Sequence, residues 1–93
     1  MAQKQEHLDA LTRISEGVRR RFTEHGGWQD AEVLVQNYVE RRIPERVTMA
    51  FEAGATPDEV LQTLDTMPAS ALSSFCWKMI EQKVDFYQHR SPK

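Results

Sequence analysis

The first periodic stretch of the chain decides its fold class. Residues 8–22 have the sequence LDALTRISEGVRRRF, in which large apolar residues recur at steps of three and four: Leu8, Leu11, Ile14, Val18 and Phe22. At a turn of about 100° per residue, these side chains cover an arc of roughly 120°. The pattern predicts an amphipathic helix over residues 4–24, and the glycines at 26 and 27 are suited to end it.

Two further helices are predicted between residues 30 and 53. Asp30 is a suitable N-cap for a helix that runs to Arg42. Several β-branched residues make a strand a minor alternative there, but the apolar pattern does not alternate. Pro44 is expected to break or kink this helix, so residues 44–53 are predicted as a separate short helix with Pro44 as its first residue.

The second half of the chain contains the clearest local motif. In Thr56-Pro57-Asp58-Glu59, threonine caps a helix, proline takes the first helical position and glutamate completes a capping box. These residues predict a short helix over 57–65. A last helix is predicted from Pro68 to His89.

Together these elements predict an all-α protein, a small bundle of four to five helices with short loops. Residues 1–93 are predicted to form a single helical domain, with frayed ends expected at 1–3 and 90–93. A chain this short buries a limited fraction of its surface, and such chains often gain stability by association. We therefore expect a homodimer.

Composition excludes several classes of protein. The 93 residues include 12 Lys and Arg against 14 Asp and Glu, a net charge of −2, and 40% are hydrophobic. The chain is therefore neither disordered by composition nor basic enough for non-specific attraction to nucleic acid, and no apolar run is long enough for a membrane span. Cys76 is the only cysteine, and the polar N-terminal sequence lacks a secretory signal pattern. We expect a cytoplasmic protein.

The last predicted helix carries the candidate interaction surface. Its apolar residues between Leu72 and Tyr87 span an arc of roughly 200°, about twice what one core requires. The interpretation is a helix contacted on two sides, by its own core and by a partner or a second copy; the alternative is a central helix surrounded by its own neighbours. The predicted interface residues are Trp77, Ile80, Val84, Phe86 and Tyr87.

Residues 47–66 resemble the first part of a helix-turn-helix. Ala50, Gly54 and Val60 match the small, glycine and apolar positions of that unit. The resemblance implies a second helix that reads DNA with its first residues. Here the segment contains no Lys or Arg and carries Glu52, Asp58, Glu59 and Asp65, so its charge opposes binding to phosphates. The alternative nucleic-acid contacts are Arg13, Arg20, Arg41, Arg42 and Arg46.

Catalytic, metal and cofactor sites are not indicated. The histidines at 7, 25 and 89 lack zinc-ligand spacing, and the glycines form no phosphate-binding loop. Cys76 lies at the centre of the apolar arc, so we expect a small buried side chain rather than a nucleophile. The segment from His25 to Trp28 is interpreted as a helix end with an anchoring tryptophan. The alternative is a hinge that lets the first helix swing, swap between protomers or dock on a partner.

These observations favour a non-enzymatic protein-interaction module, a small regulator or inhibitor that masks a surface of a larger protein. In size and character the chain resembles the small helical antagonists and accessory regulators of bacteria and their phages, in kind rather than in motif. The alternative is a small dimeric DNA-binding transcriptional regulator with a degenerate helix-turn-helix at 47–66.

Overall fold

The computed structural model describes residues 3–90, which form a helical bundle. It contains no strand within this range, which confirms the all-α class there. The four α-helices of this range are α1 (Gln3–His25), α2 (Val33–Glu52), α3 (Pro57–Leu64) and α4 (Ser74–Arg90), and single 3-10 turns precede α2 and α4 at Asp30–Glu32 and Ala69–Ala71. Of the predicted frayed ends, Gln3 and Arg90 are helical and the remaining residues lie outside the described range.

The helix α1 matches the prediction for residues 4–24 and extends it by one residue at each end. Gly26 follows with φ 77°, and its N–H donates to the carbonyl of Phe22 at 2.8 Å. The indole N–H of Trp28 donates to the carbonyl of Ala71 at 2.9 Å, and its ring meets that of Phe22 edge-on with centroids 5.4 Å apart. These contacts favour an anchoring role for Trp28 over the alternative that the segment before it is a hinge.

The predicted division of the next segment into helices over 30–42 and 44–53 is wrong. α2 is one helix, with Pro44 buried inside it. Proline has no backbone N–H, so the carbonyl of Glu40 loses its usual helical donor. The thiol of Cys76 lies 3.5 Å from that carbonyl oxygen and donates to it. A contact from α4 therefore satisfies the group that the proline deprives of its partner, and the helix continues.

The helix α3 begins as predicted. The N–H of Glu59 donates to the hydroxyl of Thr56 at 3.2 Å, and the N–H of Thr56 donates to the Glu59 carboxylate at 2.9 Å. This is the expected capping box, with Pro57 in the first turn. The N–H of Thr56, together with the ammonium of Lys4 at 3.2 Å, lowers the pKa of the Glu59 carboxyl.

The predicted start of the last helix at Pro68 is wrong, because α4 begins at Ser74. Two hydrogen bonds of Ser73 define this start. Its hydroxyl accepts the N–H of Cys76 at 3.1 Å, as an N-cap does, and its own N–H donates to the carboxylate of Glu40 at 2.8 Å. The first turn of α4 is therefore attached to α2 at Glu40, one helical turn before the buried proline.

The helices α1 and α2 are antiparallel. Arg21 pairs with Glu32 close to the connection, and Arg46 donates to Nδ1 of His7 at 2.9 Å near the opposite end. α3 is held against the first turn of α1 by the ion pair between Lys4 and Glu59. These contacts place α1 between the start of α3 and the body of α2.

The helices α2 and α4 are parallel. Glu40 meets Ser73 and Cys76 at the start of α4, and Phe51 stacks on Tyr87 near its end with ring centroids 4.6 Å apart. Residue 40 of α2 thus lies beside residue 76 of α4, and residue 51 lies beside residue 87. This alignment leaves one side of α4 facing the core and the other facing away from the bundle.

A single apolar core includes side chains from all four helices and from the segments before α3 and α4. Its buried members include Leu11 and Val18 of α1, Ile43 and Val47 of α2, Val60 of α3 and Ile80 of α4. The hydroxyl of Ser15 is also fully buried there and has no hydrogen-bond partner within the described residues. A buried hydroxyl without a partner lowers the stability of a fold.

Ser15→Ala is expected to stabilise the protein by about 1 kcal/mol, because it removes the unpaired hydroxyl and alanine favours the helix. Urea unfolding monitored by circular dichroism measures the change. Ser70→Ala, at an exposed position, is the matched control and should alter the free energy of unfolding by less than about 0.5 kcal/mol. A loss of stability in Ser15→Ala would contradict the assignment of an unpaired hydroxyl.

Candidate protein-binding surface

The prediction of an interaction face on α4 is partly wrong. Ile80 and Val84 were expected on its exposed half, but both side chains are buried in the core. The apolar arc of this helix is wide, as predicted, but Ile80 and Val84 belong to the part of the arc that faces the core. They are therefore not available on the surface of the chain. The exposed part of the arc lies on the other side, around Phe75 and Phe86.

The other predicted interface residues lie at the borders of the buried face. Trp77 is half-buried, and its indole N–H donates to the carbonyl of Ala69 at 2.6 Å. Tyr87 is half-buried through its stacking on Phe51. Among the predicted interface residues, Phe86 has the largest exposure, at 55%. The assignment of this helix to a partner or a second copy stays a prediction.

A line of four residues, which we call the α4 stripe, runs along the outer side of α4: Phe75, Met79, Gln82 and Phe86. They lie within an arc of roughly 60° because their spacing is four, three and four residues. Phe75 is 75% exposed, and Met79 is half-buried. Phe75 was part of the apolar arc, but its position outside the core could not be recognised from periodicity alone.

A shallow groove of about 350 Å³ borders the α4 stripe. It lies between α2 and α4, and its lining residues are Thr48, Met79, Gln82, Lys83, Phe86 and Tyr87. The groove is open to solvent. It is suited to contact with another protein surface, whereas small-molecule sites enclose most of their ligand.

A second exposed apolar line, which we call the α2 stripe, was missed by sequence reasoning. Leu34, Tyr38 and Met49 lie within an arc of roughly 60° on α2, and the exposed Glu45 lies on the same line between Tyr38 and Met49. Leu34 is 80% exposed and Tyr38 is 52% exposed. The guanidinium of Arg42 lies 5.9 Å from the centroid of the Tyr38 ring. Apolar residues cover half of this helix in projection, so periodicity alone does not indicate which of them lie on the surface.

The alternative nucleic-acid contacts do not form one surface. Arg13 and Arg20 are exposed on the side of α1 opposite its buried residues. On α2, Arg41 is exposed, Arg42 pairs with Glu45 at 2.6 Å and Arg46 donates to His7. The five predicted arginines therefore lie on two helices and point in different directions.

The segment at 47–66 does have the order helix, turn, helix. α2 ends at Glu52, Gly54 adopts φ 103° in the turn, and α3 begins at Pro57. The second helix has Asp58 and Glu59 in its first turn, and Glu59 is held in the capping box. The end that would meet DNA in a helix-turn-helix is therefore acidic here.

The Cys76 thiol is buried, as predicted, and its surroundings oppose ionisation. Burial, with a smaller contribution from the negative charge of Glu40, raises the pKa of this thiol from 9.0 to about 11. A nucleophilic cysteine needs the opposite shift. Within residues 3–89, no group of three or more His, Cys, Asp or Glu side chains is arranged to hold a metal ion.

None of the described helices is both long enough and apolar enough to cross a membrane. Comparison of the chain with known protein families, with curated proteins and with solved structures found no match.

The buried thiol generates a prediction about alkylation. At about pH 8, folding should slow the reaction of Cys76 with iodoacetamide by at least about 100-fold, because the raised pKa lowers the thiolate fraction and burial blocks access. Mass spectrometry of native and urea-unfolded samples gives the two rates. Rapid alkylation of the native protein would contradict the buried position.

The raised pKa of Cys76 also affects stability at high pH. Above pH 9.0 the thiol ionises in the unfolded chain before it ionises in the folded chain, so this group lowers the free energy of unfolding as pH rises towards about 11.

Proposed function

We propose that this chain is a non-enzymatic protein-interaction module, a small cytoplasmic regulator or inhibitor that masks a surface of a larger protein and acts as a homodimer. The observation that carries the proposal is the presence of large apolar side chains, aligned and exposed, on two helices. Single exposed apolar residues are ordinary, but aligned ones form a patch that association with another protein can remove from water. A single cysteine kept as a free thiol agrees with a reducing compartment.

The α2 stripe is the proposed surface for the larger protein. Leu34 and Tyr38 lie one turn apart and are both more than half exposed, and Arg42 lies beside the tyrosine ring. Tyrosine and arginine are enriched where protein interfaces concentrate their binding energy. The mechanism is steric, since α2 would lie against an apolar groove of the partner and exclude its other ligands.

The alternative role in DNA binding has less support. A regulator of that class needs a basic surface that follows the phosphates. The acidic start of α3 and the divergent directions of the arginines oppose it.

Affinity purification of the tagged chain from its source cells, after nuclease treatment, tests the masking role. We expect one protein in stoichiometric amount with the wild type, and about tenfold less of it with Leu34→Asp, because a charge would then have to be buried at the contact. Leu61→Asp, at a residue 45% exposed on α3, is the matched control and should retain the partner. Circular dichroism should show equal helix content in all three proteins.

Two results would contradict this proposal. Equal recovery with Leu34→Asp and Leu61→Asp would remove the α2 stripe as the binding surface. Retention of duplex DNA without nuclease, weakened by Arg41→Glu and by rising salt, would favour the DNA-binding alternative.

A further inference from the structure

We infer that the α4 stripe pairs with the α4 stripe of a second copy in antiparallel orientation, with Lys78 of each copy facing Asp85 of the other. This inference rests on the homodimer in the proposed function, and it specifies the surface and the geometry. The surface is separate from the α2 stripe, so the two roles can be tested independently.

The spacing of the α4 stripe is that of a helix-pairing seam. Phe75, Met79, Gln82 and Phe86 are separated by four, three and four residues, which places them alternately at the d and a positions of a heptad. In an isolated chain these residues line the outer side of α4, with Phe75 at 75% and Phe86 at 55% exposure. A helix seam with this spacing is completed by a second helix of the same pattern.

The antiparallel orientation matches the residues of the stripe with each other. If the two-fold axis passes between Met79 and Gln82, Phe75 of one copy lies opposite Phe86 of the other. Each end of the seam then contains one aromatic pair, and Met79 lies opposite Gln82 in the middle. Aromatic pairs of this kind contribute beyond the area that they bury.

The charges beside the stripe decide between the two orientations. Lys78 and Asp85 are exposed, lie seven residues apart and occupy the same edge, the g position before each a residue. Across an antiparallel seam, g positions meet g positions, so Lys78 of each copy faces Asp85 of the other, and the dimer contains two such pairs. In a parallel pair, Lys78 would instead face Lys83 of the second copy, and like charges repel. The charge pattern therefore favours the antiparallel pair.

The size of the seam sets the expected strength. It covers three helical turns and contains two well-exposed aromatic residues in each copy. This is less than the roughly 800 Å² per partner of a standard interface. We therefore expect a reversible dimer with a dissociation constant in the micromolar range.

Sedimentation equilibrium of the full chain, from micromolar to near-millimolar concentration, tests the inference. Lys78→Glu makes the edge acidic and Asp85→Lys makes it basic, so each variant alone should dimerise about tenfold more weakly than the wild type. An equimolar mixture of the two variants should recover the dimer, because each edge then faces its opposite charge. Glu81→Lys, an exposed residue of α4 away from the stripe, is the matched control and should dimerise as the wild type does.

Three outcomes would overturn the inference. A monomeric wild type over the whole range removes the dimer, and if the Leu34-dependent partner is still retained, the masking role stands without it. Stronger self-association of Lys78→Glu would indicate the parallel pair, in which this change replaces repulsion with attraction. A dimer that persists in Phe75→Asp, with unchanged helix content, would place the contact elsewhere on the chain.

Discussion

One junction between α2 and α4 determines the position of the last helix. Pro44 deprives the carbonyl of Glu40 of its helical donor, and the thiol of Cys76 takes that place at 3.5 Å. The carboxylate of the same glutamate accepts the N–H of Ser73 at 2.8 Å, and the hydroxyl of Ser73 caps α4. Each bond is modest alone, but together they fix where α4 begins and which of its sides faces the core. The exposure of the α4 stripe follows from this attachment.

The sequence predicted the elements whose boundaries depend on neighbouring residues. α1 has a clear apolar period and a glycine end, and α3 has a complete capping box, so both were located to within about one residue. The continuation of α2 through Pro44 and the start of α4 at Ser74 depend on groups from distant parts of the chain. Local propensity contains no information about such partners. The predictions therefore divided α2 into two helices and placed the start of α4 too early.

The candidate surface was predictable to a smaller extent. The wide apolar arc of α4 indicated a helix with more apolar surface than one core requires, and Phe86 is indeed exposed. Periodicity does not determine which half of such an arc faces inward, and Ile80 and Val84 proved to be buried. The α2 stripe was missed because Leu34 and Tyr38 share their half of the helix with buried residues such as Val39.

The parallel alignment of α2 and α4 also bears on how the chain folds. Contacts between the antiparallel α1 and α2 begin 11 residues apart, at Arg21 and Glu32, so that pair can close progressively from its turn. Between α2 and α4 the separation is 36 residues at both ends, from Glu40 to Cys76 and from Phe51 to Tyr87. No short loop joins these two helices, so their contact cannot form progressively from a turn. The entropy lost on closing the intervening chain is therefore lost in a single step. The last helix therefore docks or leaves as a unit, and its release would uncover a whole side of the core at once.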